Sequence, residues 1–383
     1  MLGRTLALLL LLGVAGCGSS ERAEESRIVG DALTVYSSLP QNGPLAPLSR
    51  DVVRAEKLAL EEAGGRAGDF RVSYVSLDSA DPKTGHWTPA RVADNARTAV
   101  EDLQTIAYLG ELESGASAIS VPILNEGGML QVSPGDTFAG LTERVGPGEP
   151  DKYYPSGRRT FTRVVPADDE QVAQLVTLLR RAHVRRAWLA DDRQVSATAL
   201  TGRLAAGLEA AGIEVVHRAR LNPRGDVPDD LGRDVREDRA DAFVYAGAYR
   251  PFALQALRAV HDGAPRAALF AADGIPIAAD LRRDAGRAAD RLVLTGLDPQ
   301  RGSDARAFAR RFRARYGAEP DPRAALGYAA MQLVLHAIER AGARANSRPE
   351  VIREALALAG EPRARFAAFR IAGDRLVRVP PDV

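Results

Sequence analysis

Two short segments of the chain combine serine, threonine and glycine in a way that could bind an anion. Segment 110–117 reads GELESGAS and follows a predicted strand over 105–109, so that Ser114 opens a helix beside a glycine. Segment 133–137 reads SPGDT and follows a predicted strand over 129–132. A serine hydroxyl and free backbone N–H groups at a helix start can hold an anionic group. Helix capping and turn formation alone would also explain both segments.

The familiar signatures of catalysis are missing from the sequence. It contains no G-x-S-x-G elbow, no Walker A loop and no H-E-x-x-H pair. The histidines are scattered singly, without the spacing of metal ligands, at His86, His183, His217, His261 and His336. We therefore predict no catalytic residue, no metal site and no cofactor, and a protein that is not an enzyme.

Strands and helices alternate along most of the chain, which predicts how the two candidate segments are held. Apolar strand patterns at 33–39, 70–77 and 105–109 are separated by helix-length segments with helical periodicity. Such alternation favours right-handed βαβ crossovers and a parallel sheet covered on both faces. Ligands bind such sheets at the carboxyl ends of the strands, where both candidate segments lie.

The alternation stops once and then starts again. Segment 141–159, rich in glycine and proline, is predicted to be a surface loop. Strand and helix patterns resume with a helix over 169–182 and continue to two amphipathic helices near 303–316 and 322–341. The predicted fold class is therefore α/β, with two similar doubly wound parallel-sheet lobes.

Composition excludes several classes of function. A hydrophobic fraction of 45% with 26% charged residues is typical of a water-soluble globular chain. The 51 basic and 50 acidic residues nearly cancel, and no segment carries the basic excess of a nucleic-acid binder. Beyond the amino-terminal run, no apolar stretch is long enough to cross a membrane, which excludes a channel or membrane transporter.

The single cysteine, Cys17, ends an apolar run that follows Arg4. The sequence VAGC at 14–17 resembles the lipobox of bacterial lipoproteins, whose signal peptide is cut before a diacylated cysteine. The resemblance implies a signal peptide over 1–16, a polar tether over 17–27, and a protein anchored by lipid on the outer face of the cell membrane. An incidental or buried thiol is the alternative interpretation.

Several segments, taken in order, resemble the branched-chain amino-acid-binding proteins of ABC importers. Besides the two candidate segments, the resemblance rests on PILNEGGM at 122–129, AFVYAGAYRP at 242–251 and FAADG at 270–274, and it extends from about 33 to 369. It implies the type I periplasmic binding protein fold, in which a three-strand hinge joins two lobes and the ligand binds between them.

The resemblance also implies roles for individual residues. Ser114, Gly135 and Thr137 would bind the α-carboxylate of an amino acid and part of its ammonium group. Asp273 would face the ammonium group, and Tyr249 would line the cleft. A zwitterion requires such an anion site on one lobe and a carboxylate on the other. Without the resemblance, Asp273 could be a turn residue and Tyr249 a surface aromatic.

Some segments depart from the family pattern. Segment 45–48 reads LAPL where relatives that bind leucine-like ligands carry an aromatic residue, and segment 191–196 reads DDRQVS where a Tyr-Gly pair is usual. Both changes alter the side-chain pocket, so the expected ligand is an amino acid or similar small polar solute. Segment 84–88 is inserted relative to simpler relatives, and its Trp87 either packs in the fold or reaches a ligand or partner.

The resemblance further implies lobe bounds and partners. Lobe one would combine 28–162 with 298–358, and lobe two 163–297 with 359–383, with crossings near Thr162, Leu297 and Ala359. The expected partners are a small-molecule ligand, an ABC permease with its ATPase, and the membrane through the lipid anchor. Two alternatives stay open, which are a ligand-sensing receptor coupled to a membrane signalling protein and an α/β enzyme without recognisable motifs.

Overall fold

Two β-sheets, each covered by helices, form the protein. The computed structural model describes residues 27–222, 227–275, 281–299, 303–372 and 375–380. Strand and helix succeed one another from Ala32 onward, because apolar runs of four to nine residues alternate with longer amphipathic segments.

The first sheet has six strands in the spatial order β2-β3-β1-β4-β5-β6. All neighbours pair in parallel except β2 and β3, which form an antiparallel pair. The strands are β1 (Ala32–Leu39), β2 (Arg66–Ala67), β3 (Phe70–Asp78), β4 (Thr105–Leu109), β5 (Leu130–Ser133) and β6 (Phe161–Arg163). The helices between them are α1 (Ala46–Glu62), α2 (Pro89–Glu101) and α3 (Ser114–Glu126).

The second sheet has seven strands in the order β13-β12-β11-β10-β9-β7-β8. The strands are β7 (Arg186–Asp191), β8 (Glu214–Arg220), β9 (Ala242–Ala246), β10 (Ala268–Ala271), β11 (Leu292–Asp298), β12 (Arg365–Ala372) and β13 (Arg375–Val379). Its helices are α4 (Asp169–Arg181), α5 (Val195–Ala210), α6 (Leu231–Glu237), α7 (Pro251–Gly263) and α8 (Leu281–Ala285). Two antiparallel pairings, β11 with β12 and β12 with β13, end this sheet.

The last three helices return to the first sheet. They are α9 (Ser303–Tyr316), α10 (Ala324–Ala341) and α11 (Arg348–Leu358). Helices α10 and α1 cross closely at Gly327, where an added Cβ would lie 2.6 Å from Cγ1 of Val52. The hydroxyl of Tyr316 donates to the backbone oxygen of Arg54. The chain therefore passes between the sheets after β6, after β11 and again before β12.

The predicted fold class is confirmed, with one correction to the sheets. Central strands such as Thr105–Leu109 and Ala242–Ala246 are buried along their whole length, as parallel strands covered on both faces are. The sheets are mixed rather than wholly parallel, because β2, β12 and β13 pair antiparallel with their neighbours. The lobe bounds given above stay a prediction.

The segment predicted to be a surface loop, 141–159, is only partly one. Short 3-10 turns form at Ala139–Leu141 and Asp151–Tyr153. Tyr153 and Tyr154 are buried in an apolar cluster with Phe138 and Phe161. The other residues of 151–159 are exposed, so this half is a surface loop as predicted except at the two tyrosines, which anchor it to the fold.

Candidate functional site

A cavity lies between the two sheets, at the carboxyl ends of their strands. It measures about 140 Å³, close to the ~150 Å³ of an apolar cavity that holds benzene. Residues from both sides of the cleft contribute to its wall. The wall is polar at Ser114, Thr137, Gln194 and Ser196, carries four charged side chains, and is otherwise lined mostly by leucine, alanine and glycine. A small organic solute matches this size.

The amino terminus of α3 forms one part of the wall. Ser114 and Gly115 open this helix after β4 and both line the cavity. The carbonyl oxygen of Glu113 accepts from the backbone N–H groups of Ala116 and Ser117, at 2.9 and 3.2 Å. The hydroxyl of Ser114 and the first N–H groups of a 13-residue helix are thus available to an anionic group.

The turn after β5 lies beside that helix terminus. The hydroxyl of Ser133 donates to the backbone oxygen of Glu111 at 2.7 Å and accepts from the N–H groups of Gly135 and Asp136. A Cβ at position 135 would lie 2.8 Å from the backbone oxygen of Leu112, so only glycine fits there. This network holds Gly135 and Thr137 at the cavity wall.

Asp273 faces this turn from the other side of the cleft. The hydroxyl of Thr137 donates to its carboxylate at 3.0 Å, a hydrogen bond that joins the loop after β5 to the loop after β10. Loss of contact with water raises the pKa of Asp273, and hydrogen bonds from Gln171 and Thr137 oppose that rise. Among the described residues, the carboxylate of Asp273 forms no ion pair, and it lines the cavity.

A second acidic residue in the wall, Asp168, is already paired. Its carboxylate accepts from Arg203 at 2.5 Å and from the backbone N–H of Ala139 at 3.2 Å. Burial still raises its pKa to about 6, because the loss of water outweighs the attraction of Arg203. The ion pair joins the start of α4 to α5, and the hydrogen bond from Ala139 joins it to the loop after β5.

The loop before α5 supplies Gln194 and Ser196 to the cavity. Asp192 fixes this loop by accepting from the side-chain amide of Gln194 at 2.6 Å and from the backbone N–H of Ala248 at 2.9 Å. An added Cβ at Gly115 would lie 2.1 Å from Oε1 of Gln194, which shows how closely the loop approaches α3. The segment that departs from the family pattern therefore lines the site.

The inserted segment places Trp87 beside the cavity rather than in its wall. The indole is buried against Val92 and Ala116 and is 8% exposed. The guanidinium of Arg250, which immediately precedes α7, lies over the indole ring with its carbon 5.8 Å from the ring centroid. Burial and the charge of Arg250 lower the pKa of the neighbouring His86 to about 4. Trp87 thus packs in the fold, as one of the two interpretations predicted. Its contact with Arg250 crosses the cleft.

A buried polar network lies beside the start of α3, around Glu111. Glu111 is 1% exposed, accepts from the hydroxyls of Tyr108 at 2.8 Å and Ser38 at 3.2 Å, and receives no basic partner among the described residues. Burial raises its pKa to about 8, so the carboxyl is neutral at pH 7. A neutral Glu111 does not repel an anion held at the start of α3.

The structure brings together four of the five predicted ligand-binding residues. Ser114, Gly135, Thr137 and Asp273 all line the cavity. Among the described residues, Tyr249 does not line the cavity, whereas its neighbours Gly247 and Ala248 do. The tyrosine packs against the apolar core of the second sheet. The predicted lipidation residue, Cys17, lies outside the described residues.

Sequence reasoning did not single out several residues of the wall, although it expected segment 191–196, which contains Gln194 and Ser196, to shape the pocket. Gln194, Ser196, Asp168 and Arg323 come from helix starts that reach the cavity only once the two halves of the cleft meet. The departure of segment 191–196 from the family pattern was a signal for Gln194 and Ser196. In the described part of the chain, no group of three or more histidine, cysteine, aspartate or glutamate residues could hold a metal ion, and no helix is long and apolar enough to span a membrane.

Comparisons with known proteins place the chain in a family. The family model described as periplasmic binding protein matches residues 37–374. The Leu/Ile/Val-binding protein BraC3 of Rhizobium johnstonii is 24% identical over 315 residues, which cover 81% of this chain and 80% of the relative. An amino acid binding protein of Pseudomonas aeruginosa is 26% identical over 313 residues, with 79% and 77% covered.

Solved structures share the fold. The leucine-binding protein LivK of Thermotoga maritima superposes with a TM-score of 0.74 at 21% identity, covering 91% of this chain and 98% of that one. The substrate-binding protein LivJ of Streptococcus pneumoniae, solved with isoleucine, gives 0.71 at 16% identity, with 91% and 100% covered. A solute-binding protein of R. palustris, solved with benzoate, also gives 0.71, at 18% identity, with 91% and 95% covered. The chain therefore belongs to the periplasmic binding protein family and has the type I two-lobe fold of its branched-chain amino-acid-binding members.

Proposed function

We propose that the protein captures an amino acid or a similar small polar solute in the cavity between its lobes. One observation carries the proposal, which is that the start of α3 with its Ser114 and the carboxylate of Asp273 line the same cavity from opposite sides. A helix start stabilises a carboxylate and an aspartate stabilises an ammonium group, so the two together suit a zwitterion. The Leu/Ile/Val-binding relatives support an amino-acid ligand.

Binding would stabilise the closed arrangement of the lobes. The crossings near Thr162, Leu297 and Ala359 would act as the hinge between 28–162 with 298–358 and 163–297 with 359–383. A solute that contacts both lobes gains interactions only when they meet, and it shifts the equilibrium by that difference in affinity. An ABC permease with its ATPase would recognise the closed form and take over the solute.

The proposal is tested by a thermal-shift screen over amino acids, amides, small peptides and polyamines. A true ligand at 100 times its Kd stabilises the native state by about 2.7 kcal/mol, because it binds the folded form only. We expect at least one amine-bearing solute to raise the melting temperature by several degrees, with saturation on titration. Absence of any saturable shift across the screen would contradict the proposed function.

We further propose that the protein works outside the cytoplasm and is held at the membrane by lipid on Cys17. A diacylated cysteine gives durable tethering, whereas a single chain binds reversibly. The Cys17→Ala variant of the full chain should therefore move from the membrane fraction to the soluble fraction, as measured by immunoblot after ultracentrifugation. The Ser19→Ala variant is the matched control and should stay with the membrane, and unchanged membrane retention of Cys17→Ala would exclude the anchor.

A further inference from the structure

The charged side chains in the cavity wall are mostly acidic. Among the described residues, Glu113, Asp168, Asp273 and Arg323 line the cavity. A zwitterion brings one positive and one negative charge, so its binding leaves the net charge of the cavity unchanged. The charge that a ligand must carry therefore depends on how many of these groups already have a partner of opposite charge.

Two of the four groups are already paired. Arg323 makes a two-point contact with Asp321, with its Nε and a terminal nitrogen 3.1 and 3.0 Å from the two carboxylate oxygens. Asp168 is paired with Arg203 at 2.5 Å. Neither Arg323 nor Asp168 is thus free to compensate a charge that a ligand brings.

Glu113 and Asp273 remain without a basic partner. Asp273 accepts from a neutral donor, the hydroxyl of Thr137 at 3.0 Å. Glu113 is attracted by Arg250, which is not within ion-pair distance, and the nearby indole nitrogen of Trp87 has no hydrogen-bond partner among the described residues. In the described part of the chain, no lysine or arginine nitrogen forms an ion pair within 4 Å of either carboxylate.

Neighbouring carboxylates make the cleft more negative. Asp136 is fully buried next to Thr137, and its Oδ2 has no hydrogen-bond partner among the described residues. It acts on Asp273 by repulsion, and Asp192 acts on Glu113 in the same way. A single ligand ammonium at Asp273 leaves Glu113 with the attraction of Arg250 alone, at more than ion-pair distance.

An apolar surface completes the wall. Leucines from both sides of the cleft line the cavity at Leu45, Leu48, Leu112, Leu200, Leu297 and Leu326. Transfer of methylene groups from water to such a surface is favourable. The wall thus offers contact to an aliphatic segment and charge to its ends.

We propose that the solute is a small aliphatic molecule with a cationic group at each end, as in a diamino acid or an alkyl diamine. One cation pairs with Asp273 and the other with Glu113, while the methylene chain packs on the leucines. The inference rests on the proposed function, since it names the ligand class for the same cavity. It also predicts that anionic solutes are excluded from the cleft.

The decisive comparison uses ligands that differ in one charge. L-lysine and L-norleucine carry the same amino-acid group and similar aliphatic chains, but only lysine ends in an ammonium group. We expect isothermal titration calorimetry to give lysine at least a tenfold lower Kd than norleucine, and cadaverine, which lacks the carboxylate, shows whether the anion site at Ser114 contributes. Equal or tighter binding of norleucine would overturn the inference and leave the proposed function intact. A screen in which no amine-bearing solute binds would overturn both.

Two variants locate the second cation. The Glu113→Gln variant should reduce the preference for lysine over norleucine at least tenfold, since it removes the charge and keeps the shape. Glu126→Gln, at the exposed end of the same helix, is the matched control and should keep the wild-type preference. If Glu113→Gln keeps that preference in a protein with an unchanged melting temperature, Glu113 does not bind the second cation and the inference fails.

Discussion

Replacing Asp273 by Asn is expected to weaken the binding of an amine-bearing solute about 30-fold or more. Loss of one partner of a buried charge pair costs about 2 kcal/mol or more, and each 1.4 kcal/mol changes affinity about tenfold. Asparagine keeps the shape and can still accept from Thr137, which donates to Asp273 at 3.0 Å. The loss should therefore appear in Kd, measured by calorimetry with the solute that gives the largest thermal shift.

The pH dependence of binding gives the same prediction a second readout. Because loss of water raises the pKa of Asp273, its carboxyl takes up a proton at a higher pH than an exposed aspartate does. Affinity of the wild-type protein should fall as the pH drops through that raised pKa. The Asp273→Asn variant should show a weaker dependence, to which Glu113, whose pKa is also raised by burial, still contributes. Asp290→Asn, a half-exposed residue that pairs with Arg282, is the control. Wild-type affinity in Asp273→Asn would remove Asp273 from the site.

The second large effect concerns Glu56, which lies in the core of the first sheet and its helices. It is fully buried on α1 and accepts from the hydroxyl of Tyr74 at 2.5 Å, while its Oε1 has no hydrogen-bond partner among the described residues. Burial raises its pKa from 4.5 to about 7. Between these values the folded protein holds a proton that the unfolded chain releases.

Stability should therefore fall as the pH rises from about 4.5 to about 7 and level off above. The pKa difference corresponds to about 3 kcal/mol of lost stability at pH 8, at about 1.4 kcal/mol for each pKa unit. The Glu56→Gln variant carries no titrating group and should be more stable than wild type by up to that amount at pH 8, with little or no gain near pH 4.5. Melting temperatures recorded across this range test the sign.

The control for Glu56 is the exposed Glu126→Gln variant, which should leave the stability profile as it is. Burial also raises the pKa of Glu111, to about 8, so some fall of stability with pH persists in Glu56→Gln. Equal destabilisation of Glu56→Gln at pH 4.5 and pH 8 would contradict the prediction, because it would mean that lost packing outweighs the removed charge.

Sequence patterns predicted the buried strands best. Thr105–Leu109 has the predicted bounds, because strands covered on both faces are continuous apolar runs between turn residues. The helix Leu231–Glu237 was missed, since five of its seven residues are charged or glycine and show little periodicity. The helix Arg348–Leu358 was missed as well, and its few buried positions give a similarly weak pattern.

Site residues that belong to a local motif could be predicted from the sequence. Site residues that reach the cavity from a distant segment could not. Ser114, Gly135 and Thr137 each follow a strand of the first sheet, so strand order alone predicts that they lie close together. Gln194 reaches the cavity from the second half of the molecule, and no spacing in the sequence encodes that approach. Tyr249 was assigned to the cleft from a motif, whereas Ala248 lines the cavity and Tyr249 packs against the core of the second sheet.

The two tryptophans of the chain occupy very different surroundings. Trp188 lies within the second sheet, stacked on His217 with ring centroids 4.6 Å apart, and its indole N–H donates to Asp238. Trp87 belongs to the first half of the molecule but lies under Arg250 of the second. Opening of the cleft would separate this cation from the indole and leave Trp188 undisturbed. The protein thus contains its own optical reporter, and a Trp188→Phe variant would let the emission of Trp87 follow opening and closing in real time.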